Sequence, residues 1–156
     1  MSSATGKDIY EFLAVRRLAI IGVSRNPKAF SRVLFKEFID RKYETIPVNP
    51  SATDIDGFPC YQSVAGITPT VEAALVMTSP KSVEKAVNDC LDVGVKRIWI
   101  YGMMGNPQAN KGIIAKCNQQ NVIVISDLCP FMFFPQTGFL HRFHGTILKI
   151  MGRYPT

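Results

Sequence analysis

The chain has 156 residues, 47% hydrophobic and 19% charged, with a formal net charge of +6. That suits one folded domain with a real core and excludes a disordered chain; no apolar run approaches the roughly 20 residues of a membrane-spanning helix. The charge favours an anionic partner, but no dense basic run or aromatic-interleaved basic patch points to nucleic acid.

The opening MSSATGKDIYEF lacks the apolar core of a signal peptide, so a soluble cytoplasmic protein without a membrane partner is expected. Within it, Thr5-x-x-Asp8 predicts a helix start, with Ile9, Phe12 and Leu13 facing inward. Leu18 to Val23 is a short continuous apolar run, as a strand buried on both faces should be. Phe30, Val33, Leu34 and Phe38 follow at helical spacing, and Tyr43 to Val48 reads as a second strand stopped by Asn49-Pro50. Residues 51–72, with Gly57, Pro59, Gly66 and Pro69, read as loop holding at most one short helix or strand.

Ala73 to Thr78 is a third strand. Ser79-Pro80 then predicts an N-cap with proline in the first helical position. Val83, Ala86, Val87, Cys90 and Leu91 form that helix's inner face, and Gly94 is placed to end it. Val95 to Tyr101 is a fourth strand. Asn106-Pro107 repeats the cap-and-proline signal, ahead of a helix turning Ile113, Ile114 and Cys117 inward, and Val122 to Ser126 is a fifth strand.

Strands alternating with amphipathic helices predict an α/β fold: three αβα layers around a five-stranded, mainly parallel sheet, in a single domain over residues 1–156. In such sheets ligands sit beyond the carboxyl ends of the strands. Here those ends are Gly22-Val23-Ser24-Arg25, Val48-Asn49-Pro50, Thr78-Ser79-Pro80, Tyr101-Gly102-Met103 and Asp127-Leu128-Cys129. The first is a glycine turn leading into a helix, with Ser24, Arg25, Lys28 and Arg32 to receive an anion, although it lacks the full G-x-G-x-x-G. Read alone, it also has a plain tight β-α connection as an alternative reading. At the end of the second strand, proteins that bind NAD carry a carboxylate for the ribose 2′-hydroxyl, whereas this chain has Asn49. Asn favours a phosphorylated adenosine, which fits both NADP and coenzyme A.

Together, GVSRNP at the first turn, PVNP, a strand ending in T-S-P and the VKRIW strand followed by glycines resemble the stand-alone CoA-binding proteins. These share a Rossmann-like domain with the N-terminal part of the succinyl-CoA synthetase α subunit. The resemblance spans residues 7–129. It implies that Gly22, Ser24 and Arg25 hold CoA phosphates, with Val23 among the cofactor-binding residues of that turn and Lys28 in the same anionic region. It further implies that Val48, Asn49 and Pro50 border the adenosine, that Thr78, Ser79 and Pro80 pass the pyrophosphate and pantetheine arm, and that Tyr101, Gly102 and Met103 line the path to the thiol. The WIYGMMG turn lacks the glutamine often found there, while Asp127-Leu128-Cys129 matches the family's D-x-C. The synthetase reaction needs a phosphorylatable histidine in a second domain and a partner subunit, so the resemblance carries binding rather than that catalysis.

No catalytic constellation stands out. Cys129 with His141 and His144 is one ligand short of a structural zinc set, and surface histidines explain the pair as well. Cys129 is either a reactive thiol at a strand end or a small buried residue, and Asp127 is either an acid–base group or a helix cap. The four cysteines, none in C-x-x-C spacing, are expected to be free thiols. The phenylalanine-rich tail from Pro130 onward is expected to lie on the sheet, on the ligand or in a homodimer seam. Coenzyme A or an acyl-CoA, bound by a binding or regulatory protein, is the function this pattern favours. An NADP-dependent oxidoreductase, with Tyr101 as proton donor, and an interaction domain with a vestigial pocket are the alternatives.

Overall fold

The computed structural model describes residues 4–102 and 107–134. Five apolar runs become strands: β1 (Arg17–Ile21), β2 (Glu44–Val48), β5 (Ala73–Val76), β6 (Arg97–Ile100) and β7 (Ile123–Ser126). Two short strands, β3 (Asp54–Ile55) and β4 (Phe58–Pro59), form a separate hairpin. The main sheet runs β2-β1-β5-β6-β7 with every pairing parallel. From β1 the chain crosses outward to β2 and then returns to β5 on the other side of β1. That reversal is the topological switch point, and it opens a crevice where the carboxyl ends of β1 and β5 diverge.

Successive strand residues face opposite ways, so each strand feeds two cores. Ala19, Ile21, Ala74, Val76, Ile98 and Ile100 meet the inner faces of α3 (Val83–Asp92) and α4 (Pro107–Gln119). Leu18, Ile20, Leu75, Trp99 and Ile125 meet α1 (Gly6–Leu13) and α2 (Phe30–Asp40) on the other side. Trp99 anchors this second core: its indole N–H donates to Leu128 O at 2.9 Å, and Phe12 meets it edge-on at 5.2 Å. These are the three layers and the parallel sheet expected from the sequence.

Thr5 starts α1 with a capping box: Asp8 N–H donates to Thr5 Oγ1 at 3.2 Å, and Thr5 N–H to Asp8 Oδ2 at 2.7 Å. The expected helix after Ser79-Pro80 begins later, at Val83 with Ser82 as N-cap. Ser79 to Ser82 form a turn closed by Ser82 N–H on Ser79 O at 2.8 Å, and proline's fixed φ suits its second position. The expected face of α2 also rotates. Leu34, Phe35 and Phe38 are buried beside Ser31, while Phe30 is exposed and Val33 is 48% exposed. Leu13 and Ile114 are half-buried rather than core. Residues 51–72, expected as loop with at most one element, hold the β3–β4 hairpin and a 3₁₀ turn at Val64–Gly66.

Pro130, Phe131 and Met132 form a 3₁₀ turn after β7. Phe134 meets Phe38 edge-on at 5.1 Å and lies beneath the Arg41 guanidinium at 4.3 Å, so the chain beyond the sheet is bound onto α2. The tail from 135 on, with His141 and His144, lies outside the described residues, as does Met103. No described helix is long and apolar enough to cross a membrane.

Candidate functional site

Gly22 stands at the switch point with φ +95°. A Cβ there would lie 2.9 Å from the Met77 carbonyl carbon and oxygen and 3.0 Å from Thr78 N. Glycine is needed for both reasons: left-handed backbone and close approach of β5's end. The Gly22 and Val23 N–H groups both donate to Val48 O, at 2.8 and 3.3 Å, so neither is a spare donor for a phosphate. Asn49 completes the junction, its Nδ2 donating to Val23 O at 2.8 Å and its Oδ1 accepting from Ser51 N–H at 2.7 Å. Its side chain therefore positions the first turn.

The turn into α2 is a relay of short polar side chains. Ser24 N–H donates to the buried Ser31 Oγ at 3.0 Å, Asn26 N–H to Ser24 Oγ at 3.1 Å, and Lys28 N–H to Asn26 Oδ1 at 3.0 Å. The N-cap of α2 is Ala29, which supplies no side-chain cap; its carbonyl accepts from Arg32 N–H at 3.0 Å and Val33 N–H at 3.4 Å, so only the Phe30 and Ser31 amides open the helix without a partner among the described residues. Arg25 and Lys28 stand exposed beside them. Arg32, expected with them as a free cation, turns inward: its side chain is only 10% exposed. Its Nη1 donates to Ser24 O at 3.2 Å and Arg25 O at 3.3 Å, and its Nη2 pairs with Asp56 Oδ1.

A cleft of about 160 Å³ opens at the switch point. Ile21, Gly22, Val48, Val64 and Ala86 give it an apolar floor, and Pro50, Gln62, Ser63 and Lys85 its rim. Thr78 lines it too, and its Oγ1 is buried with no hydrogen-bond partner among the described residues. A buried hydroxyl without a protein partner is costly, so this atom is a donor and acceptor on the cleft wall. Larger hollows of about 330 and 260 Å³ flank β7 and β2, away from this junction.

The structure thus brings Gly22, Val48, Pro50 and Thr78 into one cleft wall, with Ser24, Arg25 and Lys28 on the adjoining turn. Ser79 and Pro80 lie in the exposed turn after β5. Tyr101 and Gly102 lie further along the strand ends, where the Tyr101 ring meets Phe30 at 5.4 Å and its hydroxyl faces the Cys129 thiol. Burial pushes both groups above their ordinary values, and for Cys129 it outweighs the N–H groups of Phe131 and Met132 and the Tyr101 hydroxyl that act the other way. Burial thus works against the thiolate that a reactive Cys129 would need. No cluster of three or more His, Cys, Asp or Glu among the described residues could hold a metal. The sequence reading did not reach Gln62, Ser63 and Lys85, which come from the loop and from the exposed face of α3; only their nearness to Pro50 and Thr78 reveals them.

Residues 16–135 match the family model described as a CoA binding domain. The chain belongs to that family. As a CoA-binding domain it is 25% identical to the ADP-forming acetate–CoA ligase of Methanocaldococcus jannaschii over 118 residues, covering 73% of this chain but only 17% of the ligase. It is also 25% identical to the uncharacterized protein YneT of Bacillus subtilis, over 83% of this chain and 93% of that one. Among solved structures, a hypothetical protein from Pyrococcus horikoshii superposes with a TM-score of 0.72 at 26% identity, covering 82% of this chain and 88% of that one. The CoA-binding domain therefore matches some proteins along nearly their whole length and the ligase over less than a fifth of its own.

Proposed function

We propose that this CoA-binding domain binds coenzyme A or an acyl-CoA at the β1–β5 switch point and serves as a binding or regulatory protein. The observation that carries the reading is the cleft itself. Its apolar floor suits an adenosine or pantetheine face, and the unpartnered Thr78 Oγ1 offers a hydrogen bond from its wall. Beside it, the uncapped amides of α2 with Arg25 and Lys28 form an anion site suited to phosphates. The relatives support the same ligand: CoA is the partner named by the family description and by the ligase's own name. When bound, CoA would bring a phosphorylated adenosine and a thiol; the residues described here supply cations, helix amides and an apolar wall to hold them.

Thermal unfolding with CoA, dephospho-CoA, NAD and NADP in parallel tests this. At a hundredfold excess over Kd, a ligand that binds only the folded chain adds about 2.7 kcal/mol. For a domain of this size that is a rise of about 5–10 °C. A rise with CoA, smaller with dephospho-CoA and absent with NAD, supports the site and the 3′-phosphate's part in it. A rise with NADP alone transfers the site to a dinucleotide, and no rise with any of them removes the functional reading.

A further inference from the structure

Arg32 is a cation whose fork is half filled. A guanidinium recognises carboxylate or phosphate best through two parallel N–H bonds to two oxygens. Here Nη1 is used on the Ser24 and Arg25 carbonyls, and Nη2 meets one oxygen of Asp56. The neighbouring nitrogen of the fork, Nε, is buried and bonded to nothing among the described residues. The side chain is nine-tenths buried, whereas Asp56 is 57% exposed. Asp56 reaches it from the tip of the β3–β4 hairpin, where Asp56-Gly57 is the two-residue turn and both residues have positive φ.

The two partners have unequal alternatives. Asp56 returns to water at little cost if the pair opens, but Arg32 would be left as a buried cation in need of another anion. The carbonyls it holds belong to the same turn that presents Arg25 and Lys28, so an anion brought to that turn arrives next to the guanidinium.

We infer that Asp56 is a removable counter-ion: it occupies Arg32 in the unliganded chain, and a phosphate of the incoming ligand displaces it to take Nη2 and Nε together. The pair then regulates the affinity of the anion site and discriminates by charge. A ligand with a dianionic or polyphosphate group competes with Asp56, and a neutral or singly charged one does not. This rests on the CoA reading for the identity of the natural ligand, though not for the exchange itself.

The test measures binding of CoA and, separately, of inorganic pyrophosphate to the wild type, Asp56→Asn, Arg32→Lys and the double variant, at two salt concentrations. The Arg32 Nε–H resonance is followed in the wild type. Removing the competing charge should tighten both ligands in Asp56→Asn by about three- to tenfold, with a steeper salt dependence. Arg32→Lys, which keeps the charge but lacks the fork, should abolish that gain in the double variant, and the Nε–H signal should move on adding pyrophosphate. Equal or weaker binding of both ligands by Asp56→Asn overturns the inference, and so does a fall in the unfolding midpoint without a gain in affinity, which would make Asp56 a structural clasp only. Tighter pyrophosphate binding in a chain that ignores CoA keeps the counter-ion and discards the CoA reading. No anion binding by any variant discards both.

Discussion

Gly22 and Met77 touch backbone to backbone: a single added carbon on Gly22 would stand 2.9 Å from the Met77 carbonyl. The switch-point crevice therefore depends on an atom that is missing. Gly22→Ala should lower stability by about 1–3 kcal/mol, since it adds an unfavourable positive φ to a backbone clash. Chemical denaturation measures that cost, and the same variant should lose most of its CoA-dependent stabilisation because β1 and β5 must move apart. A variant of wild-type stability would mean that the loop yields freely at this point.

Thr78→Val should separate stability from binding. The hydroxyl is buried without a partner among the described residues, so an isosteric methyl should leave the unliganded protein equally stable or raise it by about 1 kcal/mol. CoA affinity should fall at the same time. Calorimetric titration beside thermal unfolding reads both signs; a loss of stability would show that the hydroxyl is satisfied in solution.

Arg25 and Lys28 are exposed, and their replacement should cost the fold little, within about 0.5 kcal/mol. Arg25→Ala with Lys28→Ala should nonetheless weaken CoA by more than about fivefold, beyond what an exposed ion pair is worth. Unchanged affinity would place the phosphates elsewhere.

Cys90 gives the fold an alkaline limit. Burial drives its thiol from 9.0 to about 12, with Asp89 adding to the effect. The folded state holds the proton more tightly than the unfolded chain, so the stability it contributes is complete below pH 9 and drains away between about pH 9 and 12. The unfolding midpoint should fall across that window. Cys90→Ala should start from a lower midpoint, because of the cavity, but show a shallower decline.

The strands were legible because each is a continuous apolar run, as burial on both faces demands, and the inner face of α3 because Val83 to Leu91 keep one period. The site's location followed from where those strands end. What the sequence hides is where hydrogen bonds are spent. Gly22 and Val23 look like phosphate donors until β2 brings Val48 O against them. Arg32 looks like a third free cation because two overlapping periods, one through Phe30 and Val33 and one through Ser31 and Phe35, compete on α2, and only the weight of the sheet decides between them. Asp56-Gly57 carries a hairpin signal that a stretch rich in glycine and proline conceals, and its strands are only two residues long.

Pro47 occupies β2, the outermost strand, opposite Ile20 of β1. It has no N–H to offer, and its carbonyl accepts from Tyr61 N–H at 3.1 Å, while Asn49 N–H donates to Tyr61 O at 2.9 Å. The sheet's flank is thus closed by its own chain along the stretch where a neighbouring molecule would otherwise add a strand. At high concentration this side resists the edge-to-edge growth that leads parallel sheets into aggregates.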